Sequence, residues 1–163
     1  MSPRLFEKVV QLNLLAPFYC SQAVNRVMQA QATGGAIVNI ASVVTTRPSP
    51  GTSAYGAAKT GLLQLTETLA MEWGPKVRVN GIIAGLTATE NALDHYGGEE
   101  GIARVGAMLP AQRMGTPQDI AQACLYLASP LAEYVSGARL AVHGGGERPL
   151  FQYLAQMDQT PGH

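Results

Sequence analysis

The chain has 163 residues, 47% of them apolar and 13% charged, which is one domain's length and far from the composition of a disordered segment. Its 11 Lys+Arg balance its 11 Asp+Glu, and no basic stripe runs along it, so neither nucleic acid nor an anionic membrane is an expected partner. No basic-then-apolar leader opens the sequence and no stretch approaches the ~18 apolar residues of a membrane span, so the chain reads as cytoplasmic.

Residues 3–32 read as a helix, with Leu5, Val9, Leu12 and Ala16 on one stripe and Gly34-Gly35 ending the run. Pro17 lies inside it and cannot donate to the carbonyl of Asn13, so a bend is expected there. Residues 36–40 form an apolar run of strand type, followed by a loop rich in Pro, Ser, Thr and Gly over 42–53. A second helix is predicted over 54–73, with Ala58, Leu62, Leu65 and Leu69 on its apolar face. Residues 77–83 are a second strand, apolar enough to be covered on both faces. The polar stretch 85–115 reads as a binding loop with one short helix near 102–109.

Thr116 and Pro117 open a third long helix, with a threonine cap and proline at the first position. It stops at Ser129-Pro130, and residues 138–142 give a third strand closed by Gly144-Gly145-Gly146. In the tail, Leu150, Phe151, Tyr153 and Leu154 are apolar enough to dock on the body or on a partner. Strands separated by helices predict an α/β fold with a parallel sheet. The first strand then needs a neighbour on each side. Cys20 and Cys124 match no metal or redox spacing and read as small buried apolar residues. His95, His143 and His163 form no ligand pattern.

Chemistry concentrates between the first strand and the second helix. Tyr55 and Lys59 are four residues apart, so a helix puts phenol and ammonium on one face. Ser42, thirteen residues before Tyr55, ends the strand and can point at the same spot. A proton donor, a cation that favours its ionised form and a second hydroxyl suit proton transfer at a carbonyl or alcohol oxygen. No histidine or acid is placed to make Ser42 a nucleophile, and Gly-x-Ser-x-Gly is absent.

Four segments together resemble the short-chain dehydrogenase/reductase family, in its C-terminal part. They are Gly35-Ala-Ile-Val-Asn-Ile-Ala-Ser42, Tyr55-Gly-Ala-Ala-Lys59, Val77-Arg-Val-Asn80 with the turn at Ala84-Gly85, and Arg113-Met-Gly-Thr-Pro-Gln-Asp-Ile120 through Tyr134-Val-Ser-Gly137. The resemblance implies part of a Rossmann-like doubly wound sheet over 1–146, with a tail over 147–163. It implies an NAD- or NADP-dependent oxidoreductase that interconverts an alcohol and a ketone or aldehyde.

On that resemblance Tyr55 is the general acid or base, Lys59 favours its phenolate, Ser42 holds the substrate oxygen, and Asn13 helps hold a water that leads protons to the lysine. Tyr55, Lys59, Ala84, Gly85 and either Thr87 or Thr89 would contact the cofactor. Ala84 stands where the family usually has Pro, which frees backbone that Pro would fix. Asn80 reads as structural, a buried side chain tying strand to loop.

The family's opening strand and Gly-rich phosphate turn have no counterpart here. A fragment or misplaced start is therefore expected, and a non-catalytic subunit or inactive fragment is the alternative. The resemblance also implies a homo-oligomer, dimer or tetramer, built through the two long helices and the last strand. Leu93, Tyr96, Ile102, Val105 and Met108 suggest a bulky apolar alcohol or ketone, such as a steroid or an acyl thioester.

Overall fold

The structure is a computed structural model that describes residues 1–147 together with Pro149 and Phe151. In chain order its helices are α1 (Pro3–Val10), α2 (Ala16–Ala30), α3 (Ser53–Trp73), α4 (Glu90–Tyr96), α5 (Gly98–Met108) and α6 (Pro117–Ala128). Its strands are β1 (Gly35–Ser42), β2 (Val77–Ala84) and β3 (Arg139–Val142). Two compact units result. One joins Met1–Ala84 to Gln118–Val142; the other contains Gly85–Pro117 and the described residues from His143 onward.

The first unit carries the expected three-stranded parallel sheet, in the order β1-β2-β3. Strand β2 is central and buried almost throughout, as a strand flanked on both sides and covered on both faces should be. Strand β1 pairs with β2 alone among the described strands. Helix α3 returns from β1 to β2 and packs on both, burying Ala58, Leu62, Leu63, Thr66 and Leu69. Leu69 joins Ile37, Val77 and Val79 in one core cluster, and Leu63 joins Ala41, Val43 and Ile83 in another. Gly81 allows the approach: a Cβ there would lie 2.8 Å from Leu63 Cδ2.

Two polar side chains on β2 tie the sheet to the segment that leads into β3. Asn80 is fully buried, donates from Nδ2 to Val135 O at 2.8 Å and accepts at Oδ1 from Ala138 N at 3.0 Å. That is the strand-to-loop tie expected of it. The Arg78 guanidinium donates to Leu127 O and Ser129 O, carbonyls at the end of α6, and to Val135 O in the segment before β3.

Three expectations change. The first helix is not one bent rod: α1 gives way to a π-helical turn, Gln11–Leu15, before α2 begins. The Ala16 N–H reaches Gln11 O, five residues back. Pro17 lacks the donor that the carbonyl of Asn13 would take in an α-helix, and the turn just before it widens. The predicted stripe is correspondingly uncovered, with Leu5 and Leu12 exposed and Val9 and Ala16 half-buried. Cys20 is exposed on α2, not buried, and Cys124 is half-buried on α6.

In the second unit two helices replace the one expected. Gly97, at φ +79°, ends α4 in the left-handed conformation, and α5 starts immediately after it. In the tail Phe151 is exposed, while Leu150, Tyr153 and Leu154 lie outside the described residues. Among the described residues no helix is long and apolar enough to cross a membrane, and no cluster of three or more His, Cys, Asp or Glu could hold a metal.

Candidate active site

The parallel register brings Ser42, Ala84 and Val142 side by side at the carboxyl end of the sheet. Ser42 closes β1 and caps a single 3-10 turn, Val43–Thr45, its Oγ accepting from Val44 N at 3.4 Å. Thr45 Oγ1 donates back to Ser42 O at 2.8 Å, so the serine's hydroxyl and its carbonyl both accept from the turn. After the loop α3 starts at Ser53, which places Tyr55 in its first turn and Lys59 one turn further on.

Tyr55 and Lys59 meet as the spacing predicts, with the Lys59 ammonium 5.7 Å from the centre of the Tyr55 ring. Lys59 Nζ also donates to Ile40 O at 2.9 Å, two residues before Ser42. The lysine therefore bridges the helix that carries Tyr55 and the strand that carries Ser42. Burial lowers its pKa below the ordinary lysine value, because a desolvated ammonium is disfavoured.

Asn13 lies in the π turn. Its Nδ2 donates to Val9 O at 3.0 Å, so the side chain is folded back onto its own helix. The π turn packs on α3, where a Cβ on Gly61 would sit 3.4 Å from Leu14 Cδ2. The turn that carries Asn13 thus packs on the helix of Tyr55 and Lys59 through Leu14, while the Asn13 amide stays bonded within its own helix.

Ala84 ends β2 in the first unit, whereas Gly85, Thr87 and Thr89 belong to the second. Within that unit a Cβ on Gly85 would fall 2.6 Å from His143 Cα, so only glycine fits. Thr87 Oγ1 donates to Gly85 O at 3.1 Å, closing the turn on itself. Thr89 caps α4 without a side-chain hydrogen bond to the helix.

Two features of this region escaped the sequence reading. A main-chain acceptor such as Ile40 O leaves no trace in residue identity. The Asn39 side chain, bonded to Thr66, did leave one: a lone amide in the otherwise apolar run 36–40. At the opposite, amino end of the sheet lies a cavity of about 490 Å³ lined by Gly34, Lys76, Arg78 and Glu133. Its cations are engaged, since Lys76 Nζ donates to Gln29 O and Gln31 O while Arg78 serves three carbonyls.

A parallel sheet with Ser, Tyr and Lys gathered at its carboxyl end defines a class that comparison with known proteins settles. A family model described as "Enoyl-(Acyl carrier protein) reductase" matches residues 1–147. The chain is 41% identical to the 3alpha-hydroxysteroid dehydrogenase of Mediterraneibacter gnavus over 143 residues, 87% of this chain and 56% of that protein. It is 42% identical to the galactitol 2-dehydrogenase (L-tagatose-forming) of Cereibacter sphaeroides, across 86% of this chain and 56% of the relative. Among solved structures it is similar to a 7α-hydroxysteroid dehydrogenase complexed with NADH and 7-oxo glycochenodeoxycholic acid. That match has a TM-score of 0.81 and 36% identity, and covers 92% of this chain and 58% of the other.

The chain belongs to the short-chain dehydrogenase/reductase family, and its sheet is part of that family's Rossmann-type fold. It spans a little over half the length of the relatives it matches, and it is related to oxidoreductases of this family that act on CH–OH groups, such as the two dehydrogenases above.

Proposed function

We propose that the chain carries the acid/base centre of an NAD(P)-dependent oxidoreductase that interconverts an alcohol and a ketone or aldehyde. The Tyr55–Lys59 pair supports this most directly, since the ammonium lies 5.7 Å from the ring centre and is anchored to the strand that ends in Ser42. In reduction Tyr55 gives its proton to the substrate oxygen as a C–H bond forms at the carbonyl carbon; in oxidation the phenolate takes that proton back. Lys59 favours the phenolate by its charge. Ser42 holds the substrate oxygen, and Asn13 helps hold the water that returns the proton towards Lys59.

The nicotinamide, when bound, supplies or accepts the hydride. In the first unit Lys59 and Tyr55 offer donors suited to that end of the cofactor; in the second, Gly85 packs against His143 with no side chain of its own. Of the two threonines, Thr89 has the less committed hydroxyl and is the better cofactor contact. The pyrophosphate end is not matched by a Gly-rich strand-to-helix turn in this sequence. Leu93 and Met108 are exposed and Tyr96, Ile102 and Val105 half-buried, which suits a bulky apolar substrate.

The test is a fluorescence titration of NADH and of NADPH into the purified chain, with circular dichroism to establish folding. Saturable binding supports the enzyme reading for this polypeptide. A folded chain that binds neither favours the second reading, a non-catalytic subunit, which the exposed Leu5, Leu12, Tyr19 and Val27 of α1, the π turn and α2 support.

A further inference from the structure

The apolar contacts of α3 with the sheet fix its distance but not its axial position, because hydrophobic attraction has no direction. One buried polar contact does have direction. Asn39 Nδ2 donates to Thr66 Oγ1 at 2.9 Å, and Thr66 Oγ1 donates its own hydrogen to Leu62 O at 2.7 Å. The hydroxyl's only proton is committed to its helix, so it can only accept from the strand, and the amide must present its NH2. Both residues are buried, Thr66 fully.

The location is specific. Asn39 pairs in register with Gly81, and a Cβ on Gly81 would lie 3.8 Å from Thr66 Cγ2. Thr66 therefore contacts β1 through its hydroxyl and approaches β2 through its methyl. The residue after Asn39 is Ile40, whose carbonyl accepts from Lys59. Two bonds from consecutive strand residues thus reach α3, at Thr66 and at Lys59.

We propose that Asn39 and Thr66 form a positioning pair that sets the axial register of α3 on β1 and so holds Lys59, the neighbour of the Tyr55 ring, at Ile40 O. Asn39 and Thr66 touch no substrate; they act through Lys59. The inference rests on the catalytic reading of Lys59 and Tyr55, but its test does not require turnover. A displacement of about 1 Å at a reacting group costs on the order of 10²-fold in rate, so a register bond can matter out of proportion to its own strength.

The test is the titration of Lys59 in the intact chain after reductive 13C-methylation. The sequence has only Lys8, Lys59 and Lys76, so assignment needs one Lys59→Arg variant. Thr66→Val keeps the shape and removes the acceptor; Asn39→Ala removes the donor from the other side and stands in if the first does not fold. Both are expected to raise the Lys59 titration towards the ordinary lysine value and to lower kcat about 10²-fold with KM little changed wherever turnover is measurable. Thr66→Ser, which keeps the hydroxyl, should titrate as the wild type. Thr68→Val, which removes a helix threonine bonded to Gln64 O and away from β1, should also leave Lys59 unmoved. An unchanged Lys59 titration in a folded Thr66→Val or Asn39→Ala chain overturns the proposal and leaves the pair a packing feature. Absent turnover in every variant, wild type included, counts against the proposed function and leaves the titration result standing.

Discussion

Lys59 donates to the carbonyl of Ile40 at 2.9 Å, so a side chain of α3 is hydrogen-bonded to a strand 19 residues earlier. The same ammonium lies beside the Tyr55 ring. Helix, strand end and phenol are thereby held as one unit, and the first expectations concern that unit.

Tyr55→Phe removes the proton that the proposed reaction moves and little else. In a holoenzyme that turns over, kcat is expected to fall about 10²- to 10⁴-fold while cofactor affinity and the circular dichroism spectrum stay close to those of the parent. Near-normal turnover in this variant would sink the mechanism.

Lys59 gives a pH expectation for stability. Burial lowers its folded-state pKa below the ordinary lysine value, so between the two values the unfolded chain binds more protons than the folded one. Stability from this group is therefore complete above the unfolded value and is lost as pH falls through the folded one. Urea midpoints measured at about pH 8 and about pH 10 should rise across that window. In Lys59→Met the part of the rise due to this residue should disappear.

Asn80→Ala strips the partner from Ala138 N at a fully buried site, while Val135 O keeps its bond from Arg78. With one buried group left unmade, the loss should be about 1–3 kcal/mol in urea unfolding. A loss under ~1 kcal/mol would mean that water replaces the amide.

Gly85→Ala places a methyl 2.6 Å from the His143 backbone, which cannot swing away as a side chain would. The variant should have a lower melting temperature, and NADH should bind more weakly if the turn faces the cofactor. Equal affinity would remove Gly85 from the cofactor contacts.

Leu12 is 71% exposed, in an element the family resemblance places at a subunit interface. Leu12→Glu should convert an oligomeric wild type to a smaller species by sedimentation velocity. A monomeric wild type would dispose of the expectation.

Much of this was legible in the residues. The parallel sheet followed from strands spaced by helices, and α3 from the run Ala58, Leu62, Leu65 and Leu69. The meeting of Tyr55 and Lys59 followed from one helical turn of spacing. What stayed hidden has physical reasons. Hydrogen bonding by Ile40 O is a main-chain property. The π turn at 11–15 depends on how the chain relieves Pro17, and a bend was the other available response. The break between α4 and α5 rests on the left-handed conformation of Gly97, which a glycine permits but does not announce. That Thr87 bonds to Gly85 O is likewise a property of the folded turn that residue identity does not carry.

The π turn has a consequence for the faces of the first helical segment. It holds one residue more than an α turn closing the same hydrogen-bonded loop, so everything after it is rotated by about 100° from where an uninterrupted helix would place it. Leu5 and Phe6 before it, and Tyr19, Val24 and Val27 after it, consequently offer apolar surface in two directions instead of one. Deleting a single residue between 11 and 15 should restore an even spiral and bring both groups into phase. The extra residue is what allows one rod to present two sides.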